Sequence, residues 1–243
     1  DFLGGAPANV ACALRKLNID SIFIGSLGSD DFGKKFIAQF NELEVNVDFL
    51  QLDNNSSTRV VNVDRDHVGD RFFSGFGSKS HLYFADEALS KKLFENQLPD
   101  LEKLFLETKY LVTGTILLSS PISAETIFFL LENAKKFQVK IIIDLNWREV
   151  FWDYSNFSSE ICKKERVTLI KKFLNHAHVL KLAKEEATLF FEQENPMLIS
   201  QQMSEIPDVI ITDGKNPVEW FINGFQGTTE TPNSQKIVDT TGA

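Results

Sequence analysis

The second half of the chain alternates short apolar runs with amphipathic helical patterns. The apolar runs are "YLVTGTILL", "VKIIIDLN", "HVLKLA" and "DVIITDG", and the helical runs between them are "SAETIFFLLENAKKF", "RVTLIKKFLNHA" and "KEEATLFFEQ". Strands alternating with helices of these lengths predict a doubly wound α/β fold, with a mainly parallel sheet and helices on both faces. The run "VEWFI" follows the turn "TDGKNP" and predicts an antiparallel strand at the sheet edge.

The first half of the chain adds a smaller β-rich region to this pattern. The run "GGAPANVACALRKLN" predicts a glycine loop leading into a helix, and "DSIFIGSLG" predicts a buried strand. The run "DDFGKKFIAQFNELEV" predicts a helix that begins with Asp30 and Asp31 as its cap and first-turn acids. Between about residues 45 and 77, short β-rich runs are separated by "NNSS" and "HVG". They predict a meander of hairpins that forms a small antiparallel lid. Because no repeat or linker interrupts the chain, we predict one domain over residues 1–243.

The charge and the cysteines limit the partners. The net charge of -9 and the pI near 5.0 disfavour nucleic acid or an anionic membrane as a partner, because both require a basic surface. Cys12 and Cys162 have no metal-ligand spacing and form no disulfide framework, which favours a reducing, cytoplasmic setting. No apolar run approaches the roughly 20 residues that a membrane-spanning helix needs.

Three polar residues follow one of the predicted strands. Asp144, Asn146 and Arg148 alternate after the apolar run "III", so an extended strand end would point all three to one side. In doubly wound folds, ligands bind at the carboxyl ends of the strands. A carboxylate, an amide and a guanidinium suit a polyol with a phosphate, because the guanidinium fork grips phosphate oxygens. The alternative is a surface Asp-Arg pair flanked by packed tryptophans.

Three other segments are candidates for ligand binding. In "GGAPANVA", the glycines allow close backbone approach and Asn9 can bind vicinal hydroxyls, although a capped glycine turn explains the pattern equally well. Glu185 and Glu186 open a predicted helix, where acids are common for dipole reasons alone, and Glu186 is also suited to ordering water around magnesium. The small residues of "VDTTGA" would expose backbone N–H groups to an anion.

Several alternative sites are disfavoured by what the motifs lack. Neither "GK" pair lies in a G-x-x-x-x-G-K-[ST] frame, so no Walker-type loop is predicted. The absence of G-x-G-x-x-G disfavours a dinucleotide-dependent dehydrogenase. His176 and His178 have no further ligands nearby in sequence, so a strand-entry pair is favoured over zinc.

Taken in order, "GGAPANVA", "GSLGSDDFG", "DLNWREVFW", "KLAKEEA", "TDG" and "VDTTGA" resemble the motifs of the ribokinase-like PfkB carbohydrate kinases. The stretches "GDRFFSGF" and "DLNWREVFW" are most similar to the fructokinase branch, and the resemblance covers essentially the whole chain. It implies transfer of the γ-phosphoryl group of ATP to a sugar hydroxymethyl group, with fructose as the expected sugar. It also implies a small β lid that closes over the sugar.

The resemblance implies a role for each matching position. Sugar binding is implied for Gly4, Gly5, Asn9, Asp144 and Arg148. Nucleotide binding is implied for Asn146, Glu186, Thr212 and Gly214, and Glu186 would order the shell of Mg²⁺ through water. Asp239 and Thr241 match positions that hold a monovalent cation, K⁺ among them, in some members, while Gly242 and Ala243 match the start of the catalytic anion hole.

The sequence departs from the family pattern in a few places. Ala183 stands where many members have Asn, and Asp213 and Asn216 replace the more usual apolar and glycine residues. The pattern continues beyond "DTTGA" with the Gly and the general-base Asp, and a first strand with a sugar-contacting Asp precedes "GGAPANVA". We therefore expect an internal fragment, truncated at both ends, that lacks the catalytic Asp and turns over sugar and ATP poorly.

Two other functional classes remain open. One is another sugar or nucleoside kinase of the same fold, and the other is a non-catalytic relative that acts as a binding protein. Retention of the polar set Asn9, Asp144, Asn146 and Arg148 argues against the second class. The expected partners are a small-molecule sugar and ATP, and the exposed edges of the lid also suit pairing into a homodimer.

Overall fold

The structure, a computed structural model, describes residues 3–65, 71–76, 84–152 and 160–231. The chain divides into two compact units. Unit 1 contains Asp1–Leu98, Ser119–Ile127 and Glu149–Tyr154, and unit 2 contains Pro99–Leu118, Phe128–Arg148 and Ser155–Ala243. The single domain expected from the sequence stays a prediction. No helix in the described ranges combines the length and the hydropathy that crossing a membrane requires.

The observed helices and strands follow the predicted alternation. The α-helices are α1 (Ala6–Lys16), α2 (Asp31–Glu42), α3 (Lys91–Asn96), α4 (Leu98–Glu107), α5 (Pro121–Lys136), α6 (Glu160–Leu174), α7 (Lys184–Phe191) and α8 (Pro196–Gln201). The strands are β1 (Gly25–Gly28), β2 (Leu50–Asp53), β3 (Val61–Arg65), β4 (Arg71–Phe76), β5 (Tyr110–Thr113), β6 (Lys140–Asp144), β7 (Val179–Ala183), β8 (Asp208–Thr212), β9 (Val218–Ile222) and β10 (Phe225–Thr229). Short 3-10 helices cover Ala85–Ala88, Thr115–Ser119 and Glu149–Trp152.

Unit 2 is built on a six-stranded sheet with the order β10-β9-β8-β7-β6-β5. Strands β5 to β8 pair in parallel and β9 and β10 pair antiparallel, which confirms the predicted mainly parallel sheet. Alternate residues of the central strands are buried, among them Ile141, Ile143, Leu180 and Leu182, each at most 1% exposed. These apolar side chains pack into the core of unit 2, and their burial stabilises the strands that contain them.

One detail of this sheet differs from the sequence prediction. Strand β9 is antiparallel as expected, but the edge position belongs to β10, so the predicted edge was wrong. Asn223 and Gly224 both have positive φ, 51° and 82°, and join the two strands as a two-residue turn. Asn-Gly is the strongest short signal for such a hairpin, because both residues tolerate this backbone conformation.

Unit 1 contains two small sheets instead of one continuous meander. Strand β2, expected to belong to the hairpins of the lid, pairs in parallel with β1, and among the described residues of unit 1 only β3 and β4 form an antiparallel hairpin. The reason is the connection, because helix α2 lies between β1 and β2 and a helical crossover returns the chain in the same direction. The role of residues 45–77 as a lid stays a prediction.

The β1–α2 turn of unit 1 is fixed by one carboxylate. Asp30 caps α2 as predicted, with Oδ1 accepting the Gly33 N–H at 2.8 Å. Its Oδ2 also accepts the Thr58 N–H at 2.8 Å, and the Thr58 hydroxyl oxygen accepts the Gly28 N–H at 3.0 Å. Burial raises the pKa of Asp30, but the hydrogen bonds from Gly33, Thr58 and Phe32 outweigh it, so the pKa lies below its ordinary value.

We expect Asp30→Ala to reduce the free energy of unfolding by about 1 to 2 kcal/mol at pH 7, because the helix cap and the Thr58 contact are both lost. A carboxyl group with a lowered folded-state pKa stabilises the fold above its unfolded-state pKa of about 4, and this contribution disappears as the pH falls. The difference from wild type should therefore shrink between pH 7 and pH 3 in urea titrations. Asp31→Ala, at a 90% exposed side chain in the same turn, is the control and should cost under about 0.5 kcal/mol.

Candidate functional site

Three predicted site segments of unit 2 follow neighbouring parallel strands. Strands β6, β7 and β8 end at Asp144, Ala183 and Thr212. Asp144 is in register with Lys181 of β7, and Ala183 is in register with Thr212 of β8. Because parallel strands present their carboxyl ends at one edge, the structure brings these segments together where doubly wound folds bind ligands.

Asp144 is the first polar group at this edge. Its Oδ1 accepts a hydrogen bond from Lys181 Nζ at 3.0 Å, and the two side chains are 32% and 43% exposed. An ion pair as open to solvent as this contributes little to stability, so either group can exchange its partner for a ligand at small cost. The Asp144 carboxylate thus lies at the surface of the edge with a basic neighbour.

The chain after Asp144 does not follow the predicted alternation. Strand β6 ends at Asp144, and Asn146 has a φ of 43°, in the left-handed region that asparagine tolerates better than most residues. Leu145 is fully buried, its N–H donates to Lys181 O at 3.0 Å, and its carbonyl accepts the Thr115 hydroxyl at 2.8 Å. The expectation that an extended backbone points Asp144, Asn146 and Arg148 to one side was therefore wrong.

Glu186 connects the loop after β6 to the junction between β7 and α7. It is 7% exposed, its Oε2 accepts the Ala183 N–H at 2.8 Å, and its Oε1 accepts the Trp147 N–H at 2.6 Å. Burial raises the pKa of Glu186 and the Asp144 carboxylate adds to the effect, while the bonds from Ala183 and Trp147 oppose it, so the pKa lies above its ordinary value. Glu186 is thus a buried carboxylate that positions the loop after β6 against the start of α7.

The hydrogen bond from Ala183 to Glu186 can be predicted from the sequence, because a glutamate three residues after a helix N-cap commonly accepts the N-cap N–H. The bond from Trp147 cannot be predicted in this way, because its partner is 39 residues away. Trp147 also packs edge-on against Phe190 of α7, with ring centroids 5.5 Å apart. Arg148, an exposed residue, donates from Nη1 to the Trp147 carbonyl at 2.8 Å.

The turn after β8 contains Thr212 and Gly214. The Thr212 hydroxyl donates to Leu182 O at 3.3 Å, and Gly214 has a φ of 54°, which glycine adopts without strain. Asp213 accepts the Asn216 N–H with its carbonyl at 2.8 Å and the Asn216 side-chain amide with Oδ2 at 3.0 Å. The turn is therefore ordered by its own polar side chains, and Gly214 leaves one side open to a ligand.

The predicted sugar-side residues Gly4, Gly5 and Asn9 lie in unit 1. Gly5 is the N-cap residue of α1 with a φ of 110°, and a side chain on Gly4 or Gly5 would meet no atom within 4 Å. Asn9 donates its backbone N–H to Gly5 O at 2.9 Å, in the first turn of the helix. Within the described ranges, no protein hydrogen bond occupies its side-chain amide, so that amide is available to a ligand.

The remaining predicted site residues, Asp239, Thr241, Gly242 and Ala243, lie outside the described residues, so the monovalent-cation site and the anion hole stay predictions. In the part of the chain that the structure describes, no three His, Cys, Asp or Glu side chains cluster as metal ligands.

The chain is similar to known carbohydrate kinases. The model of the pfkB family carbohydrate kinases matches residues 2–243. A probable fructokinase-5 of Arabidopsis thaliana is 28% identical over 99% of this chain and 69% of its own length. An ATP-dependent 6-phosphofructokinase of Thermoanaerobacterium thermosaccharolyticum is 25% identical over 100% of this chain and 69% of its own. The crystal structure of fructokinase with bound ATP from Xylella fastidiosa superposes with a TM-score of 0.79 and 26% identity, over 96% of this chain and 67% of that one.

Proposed function

Because the chain belongs to the pfkB family of carbohydrate kinases, we propose that its site residues serve the transfer of the γ-phosphoryl group of ATP to a hydroxymethyl group of fructose. The observation that carries the proposal furthest is the edge of unit 2, where Asp144, Glu186 and the turn from Thr212 to Gly214 follow adjacent parallel strands. The 28% identical probable fructokinase-5 of Arabidopsis thaliana and the Xylella fastidiosa fructokinase with bound ATP support the choice of sugar and of phosphoryl donor.

In unit 2, Asp144 and Arg148 are the groups we assign to the sugar. A carboxylate accepts hydrogen bonds from sugar hydroxyls, and an exposed guanidinium neutralises a transferring phosphoryl group. Asn146, Thr212 and Gly214 are assigned to the nucleotide. Phosphoryl transfer depends on positioning and on charge neutralisation more than on covalent chemistry, so residues that orient both substrates are the expected machinery.

Mg²⁺ fits this site as an ion bound mainly by water and phosphate oxygens. Each Glu186 oxygen accepts one backbone hydrogen bond and keeps a lone pair, which suits a contact to a water of the magnesium shell. A bound Mg²⁺ would neutralise phosphate charge. Glu186 itself holds the loop after β6 against the start of α7, with or without the ion.

In unit 1, Gly4, Gly5 and Asn9 are also assigned to sugar hydroxyls. The two glycines leave their backbone uncovered, and the Asn9 amide can donate one hydrogen bond and accept another. A variant of Asn9 therefore tests the assignment in unit 1, and a variant of Asp144 tests that in unit 2.

Calorimetric titration with fructose tests the proposal. Wild type should bind fructose, and Asp144→Ala should weaken binding about ten- to hundredfold, the effect of losing a hydrogen bond to a charged group. Asn9→Ala should weaken it about threefold to tenfold, since its amide is neutral. Asp100→Ala removes the same group from an exposed position on α4 and should leave the fructose Kd within about twofold of wild type.

Fructose 6-phosphate is the second candidate, favoured by the 25% identity to an ATP-dependent 6-phosphofructokinase. Binding of fructose 6-phosphate at least ten times tighter than fructose would replace the first candidate with this one. A preference for ribose or adenosine would point to another sugar or nucleoside kinase. A folded protein that binds neither a sugar nor ATP would contradict the kinase proposal and favour a non-catalytic relative.

A further inference from the structure

Lys184 contacts both the turn after β8, where nucleotide binding is proposed, and the segment that follows α7. It is the first residue of α7, and its Nζ is 3.4 Å from Asp213 Oδ2 and 3.4 Å from Glu194 Oε2. Glu194 and Asp213 both raise the pKa of Lys184 above its ordinary value, Glu194 the more strongly, so the ammonium is charged at neutral pH. One cation thus joins the start of α7, the turn after β8 and the segment after α7.

Asp213 places a negative charge in the turn where the nucleotide phosphates are proposed to bind. It lies between Thr212 and Gly214, the two residues assigned to the nucleotide, and its side chain is 30% exposed. A carboxylate at this position repels a polyphosphate, and the interaction between charges several ångströms apart near a protein surface is strong enough to change affinity severalfold. The chain as a whole carries a net charge of -9, which adds to the repulsion.

Lys184 offsets this repulsion in two ways. Its charge reduces the sum for Asp213, Glu194 and Lys184 from two negative charges to one. Its ion pair also holds the Asp213 carboxylate toward α7, on the side where Asn216 donates to the same oxygen atom. Gly214, with its left-handed backbone and no side chain, then remains the uncovered part of the turn.

We propose that Lys184 is a positioning residue for nucleotide binding, which acts by neutralising and orienting Asp213 in the turn from Thr212 to Gly214. The proposal rests on the proposed function, because it requires that a nucleotide binds at this turn. An exposed ion pair contributes little to folding, so the effect of Lys184 should appear in the affinity for charged ligands and not in stability.

Isothermal titration with MgATP, MgADP and adenosine tests the proposal, because the three ligands carry decreasing negative charge. Lys184→Met should weaken MgATP binding about three- to tenfold, weaken MgADP binding less, and leave adenosine binding within about twofold. The loss for MgATP should shrink in 0.5 M NaCl, because salt screens exposed charges. A residue that only stabilises the fold would change all three affinities alike.

A double-mutant cycle identifies Asp213 as the group through which Lys184 acts. Asp213→Asn in the Lys184→Met background should restore MgATP affinity to within about twofold of wild type, because the repelling charge is gone. Lys135→Met is the matched control, because Lys135 also forms an exposed ion pair, 3.0 Å from Glu205. These two residues precede β6 and β8, at the amino ends of the strands and not at the carboxyl ends where the nucleotide is proposed to bind. Equal losses for MgATP and adenosine, or no recovery in the double variant, would overturn the proposal. Wild type that fails to bind MgATP would instead overturn the proposed function.

Discussion

Replacing Arg59 with methionine is expected to lower the free energy of unfolding by about 3 to 5 kcal/mol, because it removes one partner from a buried set of charges. The Arg59 side chain is 8% exposed, with Nε 2.9 Å from Asp86 Oδ2 and Nη2 2.7 Å from Glu87 Oε1. Methionine retains most of the apolar volume, so the loss would come from charge and hydrogen bonds and not from a cavity.

The surroundings of Arg59 explain why the loss should be large. Its guanidinium lies 4.4, 5.2 and 5.4 Å from the ring centroids of Phe84, Phe151 and Phe76. Burial alone would lower the pKa of Arg59, but Asp86 and Glu87 outweigh it and hold the pKa above its ordinary value. Without the cation, the Glu87 carboxylate would remain 8% exposed, next to the Asp86 carboxylate and to aromatic rings. An unpaired charge in such surroundings is costly.

Urea titration of wild type and Arg59→Met at pH 7 measures this loss. Lys91→Met is the control, because Lys91 pairs with Glu125 and Glu95 at a more open position, and its replacement should cost under about 1 kcal/mol. Adding Glu87→Gln to Arg59→Met should recover part of the stability, since one buried negative charge is removed. Arg59→Met within about 1 kcal/mol of wild type would contradict the prediction.

The sequence predicted those parts of the molecule that depend on local pattern. The apolar run before Asp144 identified β6, and its position at the carboxyl end of a parallel strand followed from the alternation of strands and helices. Asp30 was recognised as a helix cap because the N–H group that its side chain accepts belongs to Gly33, only three residues later in the sequence. Such signals are readable because cause and consequence lie within one turn of the backbone.

The sequence did not predict contacts between distant segments. Arg59 bonds to Asp86 and Glu87, which are 27 and 28 residues away in sequence, and Glu186 bonds to Trp147, which is 39 residues away. No periodic sequence pattern predicts such pairs. The left-handed backbone at Asn146 was missed for another reason, since a strand pattern alone does not show where the extended backbone ends. At the candidate site, therefore, sequence identified polar groups at the strand ends but not their orientation.

Gly33 shows how a long-range contact can outweigh a local preference. A Cβ on this residue would lie 1.9 Å from the Gly28 carbonyl oxygen and 3.2 Å from the Thr58 hydroxyl oxygen. Glycine within helix α2 is unfavourable by itself, and alanine should gain about 1 kcal/mol in helix propensity. The clash is with backbone, which cannot rotate away as a side chain would, so α2 would have to move away from β1.

We therefore expect Gly33→Ala to lower the free energy of unfolding by about 2 kcal/mol, because an overpacking cost of about 3 kcal/mol exceeds the gain of about 1 kcal/mol in helix propensity. Urea titration at pH 7 provides the measurement. Gly4→Ala is the control, because a Cβ there would meet no atom within 4 Å, and its effect should stay within about 0.5 kcal/mol. A Gly33→Ala protein as stable as wild type, or more stable, would show that α2 and β1 are not in the close contact that the Asp30 and Thr58 hydrogen bonds indicate.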